Sequence, residues 1–273
     1  MRCRSLLFVL APLIFTAFLT PSYLLAQANS SGQLQVDAPL RRAAPPSPSA
    51  SVQELLQRGD ELRAEKAYLD ALDYYRTALA RSPGEAASIH NRMGITQMET
   101  EHWKESIKEF RLAIKTDRNF ADAHNNLGVD YYELKKYSKA ISEYETAIRL
   151  RPESAPYFSN MGAAYFGKKE FEKAAESYTH ALQLDPDIFE HNSRNGVAAR
   201  LPSPEDRAHF DYVMAKLYAK AGVADRSLQH LRRAMEEGYK GIEDVYKDAE
   251  FTELRKDPRF TQLMSARPPV LPE

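Results

Sequence analysis

Two histidines, His90 and His124, stand 34 residues apart, and four polar residues, Arg92, Asn126, Asn160 and Arg194, follow one another at the same interval. Histidines repeated in this way could share a metal ion. A zinc-type site needs three or four ligands, however, and no third ligand accompanies the pair. Both also fall where apolar side chains recur, which favours a packing role. Arginine and asparagine repeated at one pitch make a polar ladder instead, and amides beside aromatics hydrogen-bond a peptide backbone and hold its side chains. The remaining histidines lie beside no serine or carboxylate pattern of a triad, and there is no glycine-rich phosphate loop. No cofactor, no metal and no catalytic residue is expected.

The elements that would carry this ladder are read from residues 121–154. There His124, Leu127, Gly128 and Tyr131, then Tyr137, Ala140, Tyr144, Ala147 and Ile148, recur at spacings of three and four. Each set therefore occupies one face of a helix. Lys135 and Lys136 interrupt the pattern where a turn would fold the helices back on each other, and Pro152 ends the second one. The same template recurs at 155–188, with Phe158, Met161, Gly162, Tyr165, Phe171, Ala174, Tyr178, Ala181 and Pro186. It recurs at 87–120, where Arg118 replaces the closing proline, and at 52–85, offset by one inserted residue. A hairpin this short cannot bury its apolar face alone, so neighbours must stack and share one core.

This pattern of aromatic, Leu-Gly, Tyr, Ala, aromatic and Pro at a period of 34 resembles the tetratricopeptide repeat family, most fully in the third and fourth copies. The resemblance implies an all-α, right-handed superhelical solenoid of helical hairpins whose first helices line a concave face. On that fold Gly59, Gly94, Gly128 and Gly162 sit where paired helices cross. The groove would hold Gln57, Asp60 and Arg63, then Asn91, Arg92, Met98 and Glu99, then Asn125, Asn126, Tyr132 and Glu133, then Asn160 and Phe166, with Arg194 continuing the ladder. The ladder is similar to the carboxylate clamp with which some family members hold chaperone tails. That clamp also needs lysines where this chain has Ser88, Asp122 and Pro156, so generic peptide recognition is the expectation.

The composition, 43% hydrophobic and 27% charged in 273 residues, is that of a globular protein. Lys plus Arg at 37 against Asp plus Glu at 38 leaves no basic excess for a phosphate backbone, which argues against nucleic acid as a partner. Arg2 and Arg4, an apolar run from Leu6 to Leu25 and then Ala26-Gln27-Ala28 read as a secretory signal peptide over 1–28, cut after Ala28. The alternative is an uncleaved inner-membrane anchor. Cleavage would remove Cys3, the sole cysteine, leaving no disulfide, thiol nucleophile or thiolate site. Residues 29–51, rich in Ala, Pro and Ser, read as a disordered tether.

Beyond the four copies, Gly196 falls 34 residues after Gly162, but Pro202 and Pro204 stop that helix's partner. A new helix is expected near Pro204, carrying Phe210, Val213, Met214, Leu217 and Tyr218 on one face, and a second one to Gly238. These make a degenerate fifth unit over 189–238. Residues 239–266 read as two short capping helices parted at Asp257-Pro258, and 267–273 as a disordered tail. The whole describes a periplasmic or secreted scaffold that binds a protein or peptide and catalyses nothing. Two other readings are open: a self-assembling structural protein, and an enzyme with a site in the irregular 191–209 segment.

Overall fold

Each apolar face found in the sequence becomes a helix of three to four turns, and the helices come in pairs. The structure, a computed structural model, describes residues 43–189 and 203–270. Among these residues ten helices pair in order: α1 (Val52–Ala64) with α2 (Tyr68–Arg81), α3 (Ala86–Glu99) with α4 (Trp103–Thr116), α5 (Ala121–Glu133) with α6 (Tyr137–Leu150), α7 (Ala155–Gly167) with α8 (Phe171–Leu184), and α9 (Pro204–Lys220) with α10 (Ala224–Glu236). No strand occurs among the described residues.

All five hairpins turn in the same way. A residue with positive φ follows each first helix: Lys66, Glu101, Lys135, Lys169 and, in the fifth, Gly222. The amide after it reaches back five residues, as in Lys136 N to Tyr131 O and Val223 N to Tyr218 O, which satisfies carbonyls the helix end would leave bare. Four of the five turns thus put a charged residue in a conformation that costs glycine least.

Within a hairpin the helices touch at one tight crossing. A side chain added at Gly128 would start 2.5 Å from the Tyr144 ring, and Gly59, Gly94 and Gly162 face Tyr75, Phe110 and Tyr178 in the same way. In each case the ring lies sixteen residues after the glycine. The fifth hairpin puts Ala215 and Leu231 in these places, both fully buried, so a smaller partner leaves room for the extra methyl. A second shared bond confirms the register: Ser106 Oγ donates to Gly94 O at 3.0 Å, and Ser227 Oγ to Ala215 O at 2.7 Å.

Between hairpins, the second helix of one packs on the first helix of the next (α2 on α3, α4 on α5, α6 on α7, α8 on α9). The first helices also touch in a row, α1 with α3, α3 with α5 and α5 with α7. This is a solenoid, with the first helices side by side. The fifth hairpin joins it through Val213, Met214 and Tyr218, which share a cluster with Phe166, Ala174 and Tyr178. Ser203 caps α9 by accepting from Asp206 N, with Pro204 in the first turn, and so sets where that helix starts. The stretch around Gly196, aligned above with the earlier glycines, lies outside the described residues; the residue in the glycine register is Ala215.

Both ends depart from the sequence reading. Residues 43–51, expected to be part of a tether, lie against the first hairpin, with Ala43 and Ala50 packed on its core. At the other end only one of the two expected capping helices is α-helical, α11 (Pro258–Ala266), begun by Asp257 and Pro258. Before it come three short 3-10 turns over Ile242–Tyr246, Ala249–Phe251 and Leu254–Lys256. Phe251 and Leu254 are three residues apart, and the tighter winding points both into the cluster of Tyr212, Leu231 and Met235. The tail to Val270 also has a path: Arg267 turns with φ 38° and pairs with Glu243.

Candidate peptide-binding groove

The row of first helices presents one polar face. Along it an amide chain runs across three hairpins. Asn160 Nδ2 donates to Asn125 Oδ1 at 2.9 Å, Asn125 Nδ2 to Asn126 Oδ1 at 3.2 Å, and Asn126 Nδ2 to Asn91 Oδ1 at 3.1 Å. A carboxamide has two donors and two acceptor lone pairs, so one chain of this kind can tie α7, α5 and α3 together and keep hydrogen-bonding capacity. Arg92 extends the row to α1, donating from Nε to Asp60 Oδ2 at 3.2 Å and also to Ser88. Arg63 of α1 meets Glu99 of α3 at 2.7 Å. An open depression lies between α1 and α3, lined by Gln53, Leu56, Gln57, Asp60, Glu61, Glu85 and Arg92.

The groove is narrower than its sequence reading. Arg92 and Asn126 are partly open, whereas Asn91, Asn125, Tyr132, Asn160 and Phe166 are buried, and Arg194 lies outside the described residues. Asn91, Asn125 and Asn160 therefore serve as joints between helices, not as free lining. Tyr132 packs on Tyr137, with ring centroids 5.6 Å apart. Phe166, 2% exposed, meets Phe171 at 5.0 Å, Phe210 at 5.9 Å and His209 at 5.7 Å. Their burial has a geometric cause. Residues one step round the helix from the open face point at the neighbouring first helix, and α9 covers the end of α7.

The depression also takes in residues that the ladder did not mark. Leu56 and Gln53 sit one and two turns before Asp60 on α1, and Glu85 precedes α3. The helical spacing from Asp60 was the signal for the first two. Ile95, Met98 and Val129 are partly buried and pack on the cluster of Phe110, Leu127 and Tyr131.

His90 and His124 have a different task from metal binding. His90 Nδ1 donates to Glu109 Oε2 at 2.6 Å and His124 Nδ1 to Glu143 Oε2 at 2.7 Å, each tying the two helices of its own hairpin. The fifth hairpin uses the same two places reversed, with His230 Nδ1 on α10 donating to Asp211 Oδ1 on α9 at 2.6 Å. The fourth fills them with Phe158 and Ser177. No group of three metal-ligating side chains occurs among the described residues. Most of the 191–209 segment lies outside them too; His209 itself sits among aromatic rings, 3.9 Å from that of Phe171, and burial pulls its pKa down.

One carboxyl is out of place in this core. Asp130 of α5 is 0% exposed, and neither of its oxygens accepts a hydrogen bond. The nearby Ser106 hydroxyl is already spent on Gly94 O. Burial raises the Asp130 carboxyl from an ordinary 3.8 to about 7, against a lowering by Ser106 and with a smaller push from Glu133. Tyr144 and Tyr178, at the glycine crossings, also have hydroxyls without partners, whereas Tyr75 donates to Asp60 at 2.7 Å.

Two family models match the chain: one described as TPR repeat over residues 130–169, and one described as tetratricopeptide repeat over residues 155–188. No curated protein matches it. Among solved structures, the chain is similar to TTC0263, a thermophilic TPR protein in Thermus thermophilus, at 21% identity, with 79% of this chain and 100% of that one covered and a TM-score of 0.48. It is also similar to MamA from Desulfovibrio magneticus RS-1, at 18% identity, with 68% and 94% covered and a TM-score of 0.48. YrrB, a TPR protein with an unusual peptide-binding site, aligns at 16% identity, with 72% and 91% covered and a TM-score of 0.46.

Proposed function

We propose that this chain, a tetratricopeptide repeat protein, is a non-catalytic scaffold that binds an extended peptide segment of a partner protein along its row of first helices. The observation that carries this reading is the state of Asn126. Its side chain gives one donor to Asn91 and accepts one bond from Asn125, and it is partly open. One N–H and one lone pair are left over, the pair a peptide group needs. The bonds on either side hold that amide in a fixed orientation, which lowers the ordering cost of binding. Ile95, Met98 and Val129 supply apolar contact, and the depression between α1 and α3 extends the surface toward Asp60 and Arg92.

A ligand carboxylate is a poor fit at Arg92, whose guanidinium is engaged by Asp60 and Ser88. The partner segment is therefore read by its backbone. Peptides selected on the full-length protein from a random library should bind in the micromolar range. Asn126→Leu should weaken them about tenfold, roughly 1.4 kcal/mol, and should also lower the melting temperature, because it unpairs the buried Asn91 and Asn125 side chains. Asn160→Ala is unsuited to this test, because that side chain is fully buried. Equal binding by Asn126→Leu and the parent would overturn the reading.

The place of action is proposed as the periplasm or cell exterior, supported by the basic start, apolar run and Ala26-Gln27-Ala28. Mass spectrometry of the protein from fractionated cells should find a new amino terminus at Asn29 outside the cytoplasm. An intact Met1 in the cytoplasmic fraction would contradict it. Among the described residues no helix is long and apolar enough to cross a membrane.

A further inference from the structure

The second helix of the first hairpin carries side chains that the other second helices lack in the same places. Tyr74 and Arg81 lie seven residues apart on α2, two turns along one face. The same two places read Glu109 and Thr116 on α4, Glu143 and Leu150 on α6, Ser177 and Leu184 on α8, and His230 and Glu237 in the fifth hairpin. Across Tyr74 and Arg81 lies the segment 43–50. Tyr74 Oη donates to Ala44 O at 3.1 Å, Arg81 Nη2 to Ser47 O at 3.0 Å, and Arg81 Nη1 to Ala50 O.

The chemistry of the two sides is matched. The segment reads Ala43-Ala44-Pro45-Pro46-Ser47-Pro48-Ser49-Ala50, so three of its residues have no N–H and their rings restrict φ. Such a segment has carbonyls to offer and few donors, while α2 offers a phenol and a planar guanidinium that can serve two carbonyls at once. Ala43 and Ala50 pack on the core of the hairpin, and Ala50 N closes a turn onto Ser47 O at 3.2 Å. Ser51 then caps α1 through a reciprocal bond with Glu54.

We infer that the outer face of α2 is a docking surface for an extended, proline-bearing segment, and that its occupant is residues 43–50 of the same chain. Docking covers part of the first hairpin's core, on which Ala43 and Ala50 pack. It is separate from the groove, since it uses the second helix of the hairpin and not the first.

Hydrogen exchange on the full-length protein tests this. Arg81→Ala should speed exchange of the Ala50 amide at least about tenfold, with the amides of α4 to α8 unchanged. Arg81→Lys, whose single ammonium cannot serve both carbonyls in the same way, should fall between. Where Arg81→Ala disturbs the whole fold, visible as faster exchange in α4 to α8, Tyr74→Phe decides: it removes the hydroxyl that holds Ala44 O and should speed exchange at the Ala50 amide alone. Unchanged exchange at Ala50 in Arg81→Ala with the core intact, or in Tyr74→Phe, would overturn the docking surface.

Discussion

The first four hairpins and the fifth solve one set of geometric problems with different residues. At the helix crossing the first four pair a glycine with a ring, and the fifth pairs Ala215 with Leu231. Across the hairpin the second and third set histidine on the first helix and glutamate on the second, while the fifth sets Asp211 on the first and His230 on the second. At the turn, four charged residues with positive φ give way to Gly222. The hairpin is thus specified by complementary pairs, and either member changes only together with its mate. Exchanging such pairs between hairpins tests this.

The largest effect is expected at the helix tie. His90→Phe alone leaves Glu109 buried without its partner and should cost about 3 kcal/mol or more. Adding Glu109→Ser, which imports the Phe158 and Ser177 solution of the fourth hairpin, should recover most of the loss in thermal unfolding. A double variant as unstable as the single one would show that the two places are not a unit.

Asp130 comes next, because it has no mate. Its carboxyl is raised from 3.8 to about 7 in the folded protein, so the folded state binds a proton more tightly than the unfolded one. Below about pH 4 both states are protonated and nothing is lost. Stability then falls as pH rises toward 7, and above that the full penalty remains. The second hairpin puts Thr96 at this place, its hydroxyl bonded to Arg92 O at 2.8 Å. Asp130→Thr should therefore raise stability at pH 8 and flatten the slope between pH 4 and 7. An unchanged denaturation midpoint at pH 8 would contradict the burial argument.

The smallest of the three is the crossing itself. Gly128→Ala puts a methyl against the Tyr144 ring and should cost about 1 to 3 kcal/mol. Adding Tyr144→Leu copies the fifth hairpin and removes a buried hydroxyl that has no partner, so the pair should melt above the glycine variant alone. A pair that melts lower still would mean the Ala215 and Leu231 crossing depends on more than its two residues.

Much of the array could be read from the chain because its signals are local. A glycine and a ring sixteen residues apart, with a polar turn between them, state a helical hairpin without knowledge of neighbours. The fifth hairpin was harder: the stretch between α8 and α9 shifts its register, so Gly196 mimicked the period while Ala215 carried the role. Residues 43–50 have no apolar period at all, and their order comes from donors on α2 that lie more than twenty residues away. The groove was half legible. Its face followed from helical spacing, but which amides remain open depends on how closely first helices approach, and that distance is set by side chains from three hairpins at once.

The central claim is that a partner segment lies along the first helices, over Asn126. The direct measurement is hydrogen exchange or amide chemical-shift mapping of the full-length protein with a selected peptide bound. The account predicts that changes gather on α1, α3 and α5, at Gln57, Arg92 and Asn126. A footprint confined to the second helices α2, α4 and α6, with Asn126 untouched, would contradict it.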